Sequence, residues 1–151
     1  MTYPLDLVKE TIAAHAIPVQ IDNSDAKNNA FLHTIHHIWT PDIRIIHSDG
    51  YELYRWDGFL PPFEFVPRVQ CAIGLAFLRL KRFDDAERCY VDVLRRYSTS
   101  YAAPEAQYYL GVTRYRRDHE SDELPAQWAQ LRARYPMSEY RVKQSFKELP
   151  E

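Results

Sequence analysis

Trp39-Thr40-Pro41-Asp42-Ile43-Arg44-Ile45-Ile46-His47-Ser48-Asp49-Gly50-Tyr51-Glu52-Leu53-Tyr54-Arg55-Trp56-Asp57-Gly58-Phe59-Leu60-Pro61-Pro62 reads as a β-hairpin that hands over to a helix. Ile43 and Ile45 alternate with Arg44, and Tyr51, Leu53, Tyr54 and Trp56 supply β-favouring side chains on the return strand. Between them Asp49-Gly50 carries turn chemistry, because glycine accepts the positive φ that a tight reversal demands. Pro61-Pro62 then opens a helix, proline being well suited to a first helical turn.

Working outward, Leu5, Val8, Ile12 and Ala13 recur at helical spacing and predict a short amphipathic helix from Pro4 to about His15. Ile17, Val19 and Ile21 are β-branched and alternate, which predicts a strand over 17–21 with Pro18 near its start. Asn23-Ser24-Asp25 offers an N-cap, and Ala30, Phe31, Thr34, Ile35 and Ile38 mark the buried stripe of a helix ending near Trp39.

Beyond Pro67 everything reads helical, and the boundary between two segments, 1–66 and 67–151, is placed there. The second segment repeats itself. Leu94-Arg95-Arg96-Tyr97-Ser98-Thr99-Ser100-Tyr101 echoes Leu131-Arg132-Ala133-Arg134-Tyr135-Pro136-Met137-Ser138-Glu139-Tyr140, and Gly74-Leu75 is matched by Gly111-Val112. These spacings fit a helical hairpin recurring with a period in the mid to upper thirties. Val142, Phe146 and Leu149 predict the apolar face of a closing helix from Arg141 to Leu149.

Two resemblances attach to these residues. A Thr-Pro, a strand, an Asp-Gly turn, a second strand and the Gly58-Phe59-Leu60-Pro61-Pro62 run before Phe63-Glu64-Phe65 resemble the second half of a thioredoxin fold, over roughly Thr2 to Val66. The resemblance implies that Pro41 is the cis-proline beside which that family holds its redox disulfide. It implies that the strand at 17–21 and the strand at 43–46 flank a central strand that would precede Thr2. Gly74, Phe77, Ala86, Tyr90 and Val93 sit where tetratricopeptide repeats place small and large packing residues, and Tyr108-Tyr109-Leu110-Gly111 through Trp128, Leu131 and Pro136 forms a looser second unit with the insertion His119-Glu120-Ser121-Asp122-Glu123. The expected class is therefore α+β: a partial thioredoxin-like sheet with flanking helices, then an all-α tetratricopeptide-like array.

Redox exchange in the thioredoxin family needs a reactive thiolate and a resolving thiol. The chain's two cysteines, Cys71 and Cys89, are far apart and outside that region, so no catalytic residue is assigned and both are expected to pack as buried thiols. The reading is a non-catalytic interaction or scaffold module that binds a peptide or partner protein through its concave helical face or at a cleft formed by Trp39, Thr40, Pro41 and Phe59. The alternative is a thiol-disulfide oxidoreductase whose Cys-X-X-Cys lies upstream of Met1. An open sheet edge predicts either a homodimer or direct parallel pairing of 17–21 with 43–46 through the intervening helix.

Composition narrows the partners. With 151 residues, 46% of them hydrophobic, the chain is long enough to bury a core, and a net charge of −2 gives no electrostatic reason to expect nucleic acid. No segment is long and apolar enough to span a bilayer and the first residues lack a leader pattern, so the expected compartment is the cytoplasm. His33, His36 and His37 share one side of a predicted helix, but without a carboxylate or cysteine at matching spacing they fit a solvated face better than a metal site. No cofactor is expected. Arg95, Arg96, Arg114, Arg116 and Arg117 form a basic cluster expected to be balanced by Asp84, Asp85, Glu87 and Asp92, the other reading being a groove for an acidic tail.

Overall fold

The computed structural model describes residues 5–119 and 122–145. In it the hairpin is present: β1 (Asp42–Ile46) and β2 (Glu52–Asp57) pair antiparallel, with Ile43 opposite Trp56 and Ile45 opposite Tyr54. Gly50 takes φ +92°, and the Asp49 carboxylate accepts the Tyr51 N–H at 2.9 Å, so the turn forms as its residues dictate. Ile46 pairs with Glu52, which leaves Leu53 without a partner in register. This bulge turns Leu53 into the interior while Tyr54 and Trp56 still face the core. On the other face Arg44 stands opposite Arg55, and the like charges are separated by Asp42 and Glu52, each of which takes Arg44 nitrogens at 2.8 Å.

The hairpin packs on α3 (Pro62–Arg79), as does α1 (Asp6–Ala13), whose Val8 is fully buried. Pro62 occupies the first helical turn, and Pro61 O accepts the N–H groups of Glu64 and Phe65. The helix runs without interruption through Pro67, where one missing N–H is a small loss within 18 residues. A boundary between 66 and 67 therefore falls inside a helix. Val8, Phe65 and Val66 share one core cluster with Tyr90, Val93 and Leu110 from beyond it.

After α3 the chain folds back repeatedly as α4 (Phe83–Arg96), α5 (Ala103–Asp118), α6 (Glu123–Arg134) and α7 (Glu139–Lys143), each long helix packing on the one before it. The repetition seen in sequence is repeated in local geometry. Tyr97 and Tyr135 end α4 and α6 alike, donating to Val93 O at 2.8 Å and Leu131 O at 2.9 Å, and Ser100 and Ser138 N–H groups then close equivalent turns onto the two tyrosine carbonyls. Gly74 lets Tyr90 lie across α3, and Gly111 lets Gln127 and Trp128 approach α5. The chain thus has a mixed α+β class, dominated by helix.

Three expectations are corrected. Residues 17–21 form no strand, and among the described residues the sheet consists of β1 and β2 alone, so the parallel pairing of 17–21 with 43–46 does not occur. Alternating β-branched residues favour a pleated surface only when a neighbouring strand is there to pair with them. The helix expected to end near Trp39 is a 3₁₀ turn (Ala26–Asn28) capped by Asp25, followed by α2 (Asn29–Thr34), and Phe31 and Ile38 are exposed rather than buried. His36 stops it by entering the left-handed region at φ +50°, with the His37 N–H bonded to Leu32 O in a Schellman-type close. Val142, expected to be buried, is exposed on α7, and Phe146 and Leu149 lie outside the described residues.

Candidate interaction surface

The expected cleft residues sit where the hairpin's two outer ends meet. The Thr40–Pro41 peptide is cis, and Pro41 O accepts the Gly58 N–H at 2.9 Å. Gly58 has φ +96°, a conformation that L side chains rarely adopt, so glycine suits the position where β2 ends. Thr40 is pinned from two sides: its Oγ1 accepts from Asn23 Nδ2 at 2.8 Å and lies 3.3 Å from His37 Nε2. His37 in turn lies with Nδ1 3.4 Å from Asp42 Oδ2. The Asp42 carboxyl is held below its usual range by hydrogen bonding to Arg44, burial opposing and His37 assisting.

Around this anchored segment the surface is shallow. One depression is lined by Leu32, His33, His36, His37 and Ile38, and the adjoining one by Asn23, His37, Ile38, Trp39 and Thr40. Not one Asp, Glu, Lys or Arg lines either. Trp39 and Thr40 thus line one surface, whereas neither Pro41 nor Phe59 lines either depression. Ile17, Val19, Ile38, Trp39 and Phe59 are 89%, 77%, 77%, 68% and 64% exposed. His33 and His36 rings lie 6.5 Å apart, and among the described residues no three His, Cys, Asp or Glu side chains converge in a way that could hold a metal ion.

The helical half offers different chemistry. Cys71 and Cys89 are free and buried, and burial pushes both thiols up, Cys89 to about 11. Neither is poised as a thiolate. Four of the five arginines of the cluster are ion-paired: Arg95 and Arg96 share Asp92, Arg114 pairs with Glu87 at 2.6 Å, and Arg117 pairs with Glu87, Asp84 and Asp118, while Arg116 lies over the Phe83 ring. An acidic ligand would have to displace these carboxylates.

One polar group escaped the sequence reading. Glu105, on α5, is almost fully buried, yet both its oxygens accept from the Tyr54 hydroxyl, at 3.0 and 3.2 Å, and Oε2 accepts from Arg68 Nη1 at 2.7 Å. Arg68 also donates to the Tyr54 oxygen at 3.0 Å, and Tyr140 of α7 faces the same carboxylate. Burial raises the Glu105 carboxyl above its usual range, with Arg68 pulling against it. Its signal was present in the sequence, since Glu105 falls on the same helical face as Ala102, Ala106 and Tyr109.

Comparison with protein-family models, with curated proteins and with solved structures returned no match for this chain. The functional reading therefore rests on the residues and their geometry. Among the described residues no helix is long and apolar enough to cross a membrane.

Proposed function

We propose that this chain is a non-catalytic protein-interaction module, and that a second copy of itself occupies the surface around Trp39. The observation that carries the reading is the exposure of the adjacent Ile38 and Trp39, which line one shallow depression beside the anchored Thr40–Pro41 segment. Ile38 and Trp39 are 77% and 68% exposed there, and Phe59, 64% exposed, follows the Gly58 whose N–H bonds to Pro41 O. Neighbouring large apolar side chains left in solvent beside a concave surface are what a contact site presents. The lack of Asp, Glu, Lys and Arg in its lining favours a like partner, because two copies meet without the repulsion that such like charges would impose.

The same reading keeps the two resemblances as proposals: a partial thioredoxin-like unit carrying the surface, and a tetratricopeptide-like array supporting it. The repeated turns at Tyr97 and Tyr135 and the paired glycines support the second of these. Buried, protonated Cys71 and Cys89 speak against thiol exchange by the cysteines of this chain.

Light scattering across a concentration series tests the proposal, with the triple variant Ile38→Ser/Trp39→Ser/Phe59→Ser run beside the wild type. The wild type is expected to reach twice the chain mass and the variant to stay at one. Equal behaviour of the two would reject this surface as the interface.

A further inference from the structure

The depression that adjoins Trp39 is lined by His33, His36 and His37 between Leu32 and Ile38, and it shares His37 and Ile38 with the depression that Trp39 and Thr40 line. Histidine is the side chain whose charge changes between about pH 5 and 8, and no other side chain in the two linings ionises. The three imidazoles are not equivalent. His37 Nδ1 lies 3.4 Å from Asp42 Oδ2 of β1, a carboxylate it shares with Arg44, so a proton on His37 meets an anion already in place. His33, on α2, and His36, in the turn that ends it, are exposed, with ring centroids 6.5 Å apart. The one element packed on α2 is the 3₁₀ turn at Ala26–Asn28, whose single charged residue, Lys27, pairs with Asp25 at 2.7 Å. Among the described residues no carboxylate pairs with His33 or His36.

We propose that protonation of His33 and His36 controls the association of two copies through the Trp39 surface, the copies separating as the solution turns acidic. The inference rests on the association proposed above and supplies its regulation. In a twofold interface the same residues come from both copies, so a charge gained by one is matched by a like charge on the other. Covering an imidazolium removes it from water without a partner, and like charges brought together oppose the contact; neutral imidazoles incur neither cost. The dimer therefore holds fewer protons than two free chains, and by linkage its Kd rises as pH falls. A histidine of ordinary pKa, about 6.5, that each copy must keep neutral weakens a dimer about a hundred-fold between about pH 8 and about pH 5.5.

Sedimentation velocity of the full chain over a concentration series, at about pH 8 and about pH 5.5, measures it. The wild type is expected to associate at the higher pH and to lose at least about a hundred-fold in affinity at the lower. His33→Gln/His36→Gln, which keeps polar side chains at two exposed positions and removes their titration, is expected to associate equally at both. His37→Gln is expected to retain the wild-type dependence, because Asp42 compensates the proton that it removes. A wild-type Kd that is the same at both pH values would overturn this inference and leave the association standing. A mass of one chain at both would overturn the association and its regulation together. Acid dissociation that persists in His33→Gln/His36→Gln would overturn the assignment to these two histidines.

Discussion

Replacing Gly74 by Ala adds a single methyl group at the tightest crossing in the array. An ideal Cβ at that position lies 2.8 Å from Tyr90 Cε1, 2.9 Å from Tyr90 Cζ and 3.2 Å from Cys89 Cβ. Tyr90 is wholly buried and stacks on Tyr109 with ring centroids 6.2 Å apart, so its ring has nowhere to go without moving α4 or α5. Overpacking of this sort costs about 1–3 kcal/mol, while exchanging Gly for Ala inside a helix returns about 1 kcal/mol of propensity. The net expectation is a loss of about 1 kcal/mol. Gly111 provides the matched comparison, because there the added Cβ lies 3.0 Å from Gln127 Cβ and 3.4 Å from Leu124 and Trp128. That contact is relieved by a few tenths of an ångström, and the propensity gain leaves Gly111→Ala near neutral. Urea unfolding of both variants reads the contrast, with Gly74→Ala expected to fall below Gly111→Ala by about 1 kcal/mol, a midpoint difference of about 0.5 M. Adding Tyr90→Leu to Gly74→Ala opens the space, and the double-mutant cycle is expected to show favourable coupling of about 1 kcal/mol. Equal stabilisation of the two glycine variants, or a cycle without coupling, would refute the close packing of α3 on α4.

Other consequences follow from the same geometry. Neither cysteine is expected to react with a thiol reagent in the native protein at neutral pH, and both are expected to react fully in urea; rapid labelling of the folded chain would contradict their burial. Asp42 has a folded-state pKa below its unfolded value of about 3.9, so its contribution to stability is present above that value and is lost as pH falls through the folded one. Asp42→Asn is therefore expected to flatten the acid side of a stability-versus-pH curve. Glu105 has the opposite sign: its folded pKa lies above the unfolded value of about 4.3, so the folded state gains from its proton below that value and loses the gain as pH rises through the folded pKa. The stability of the wild type relative to Glu105→Gln is expected to decline over that rise, and denaturant titrations at several pH values check it.

Much of this architecture was legible because its signals are local. Asp49-Gly50 announces a turn that its own backbone requires, Pro61-Pro62 opens a helix, and the Leu94–Tyr101 and Leu131–Tyr140 echoes record one helical hairpin made twice. The failures are those of elements that need a distant neighbour. Ile17, Val19 and Ile21 carry a strand pattern with no described strand to pair with, so the pattern ends in solvent. Phe31 and Ile38 carry a helical stripe with nothing packed against it, and His36 breaks the helix through a positive φ that no pattern of apolar residues reveals. Pro67 suggested an interruption, yet the packing of Phe65, Val66 and Val69 on both sides of it keeps α3 whole. Of the four expected cleft residues, Trp39 and Thr40 line one surface, while Pro41 and Phe59 line neither depression. The burial of Glu105 was legible from its helical face, but its donors Tyr54 and Arg68 come from two other elements, and no spacing within one segment brings them together.

The chain holds three tryptophans in three environments: Trp39 exposed, Trp56 packed edge-on against Phe65 with ring centroids 5.8 Å apart, and Trp128 buried and stacked on Tyr108. Fluorine NMR of 5-fluorotryptophan-labelled protein, recorded over a concentration series alongside light scattering, therefore asks which part of the surface meets a second copy. The resonance of Trp39 is expected to shift and to lose its solvent-isotope effect as the mass doubles, while those of Trp56 and Trp128 hold still. A mass that stays at one chain throughout, or that doubles with the Trp39 resonance unchanged, would contradict the assignment of this surface as the site of association.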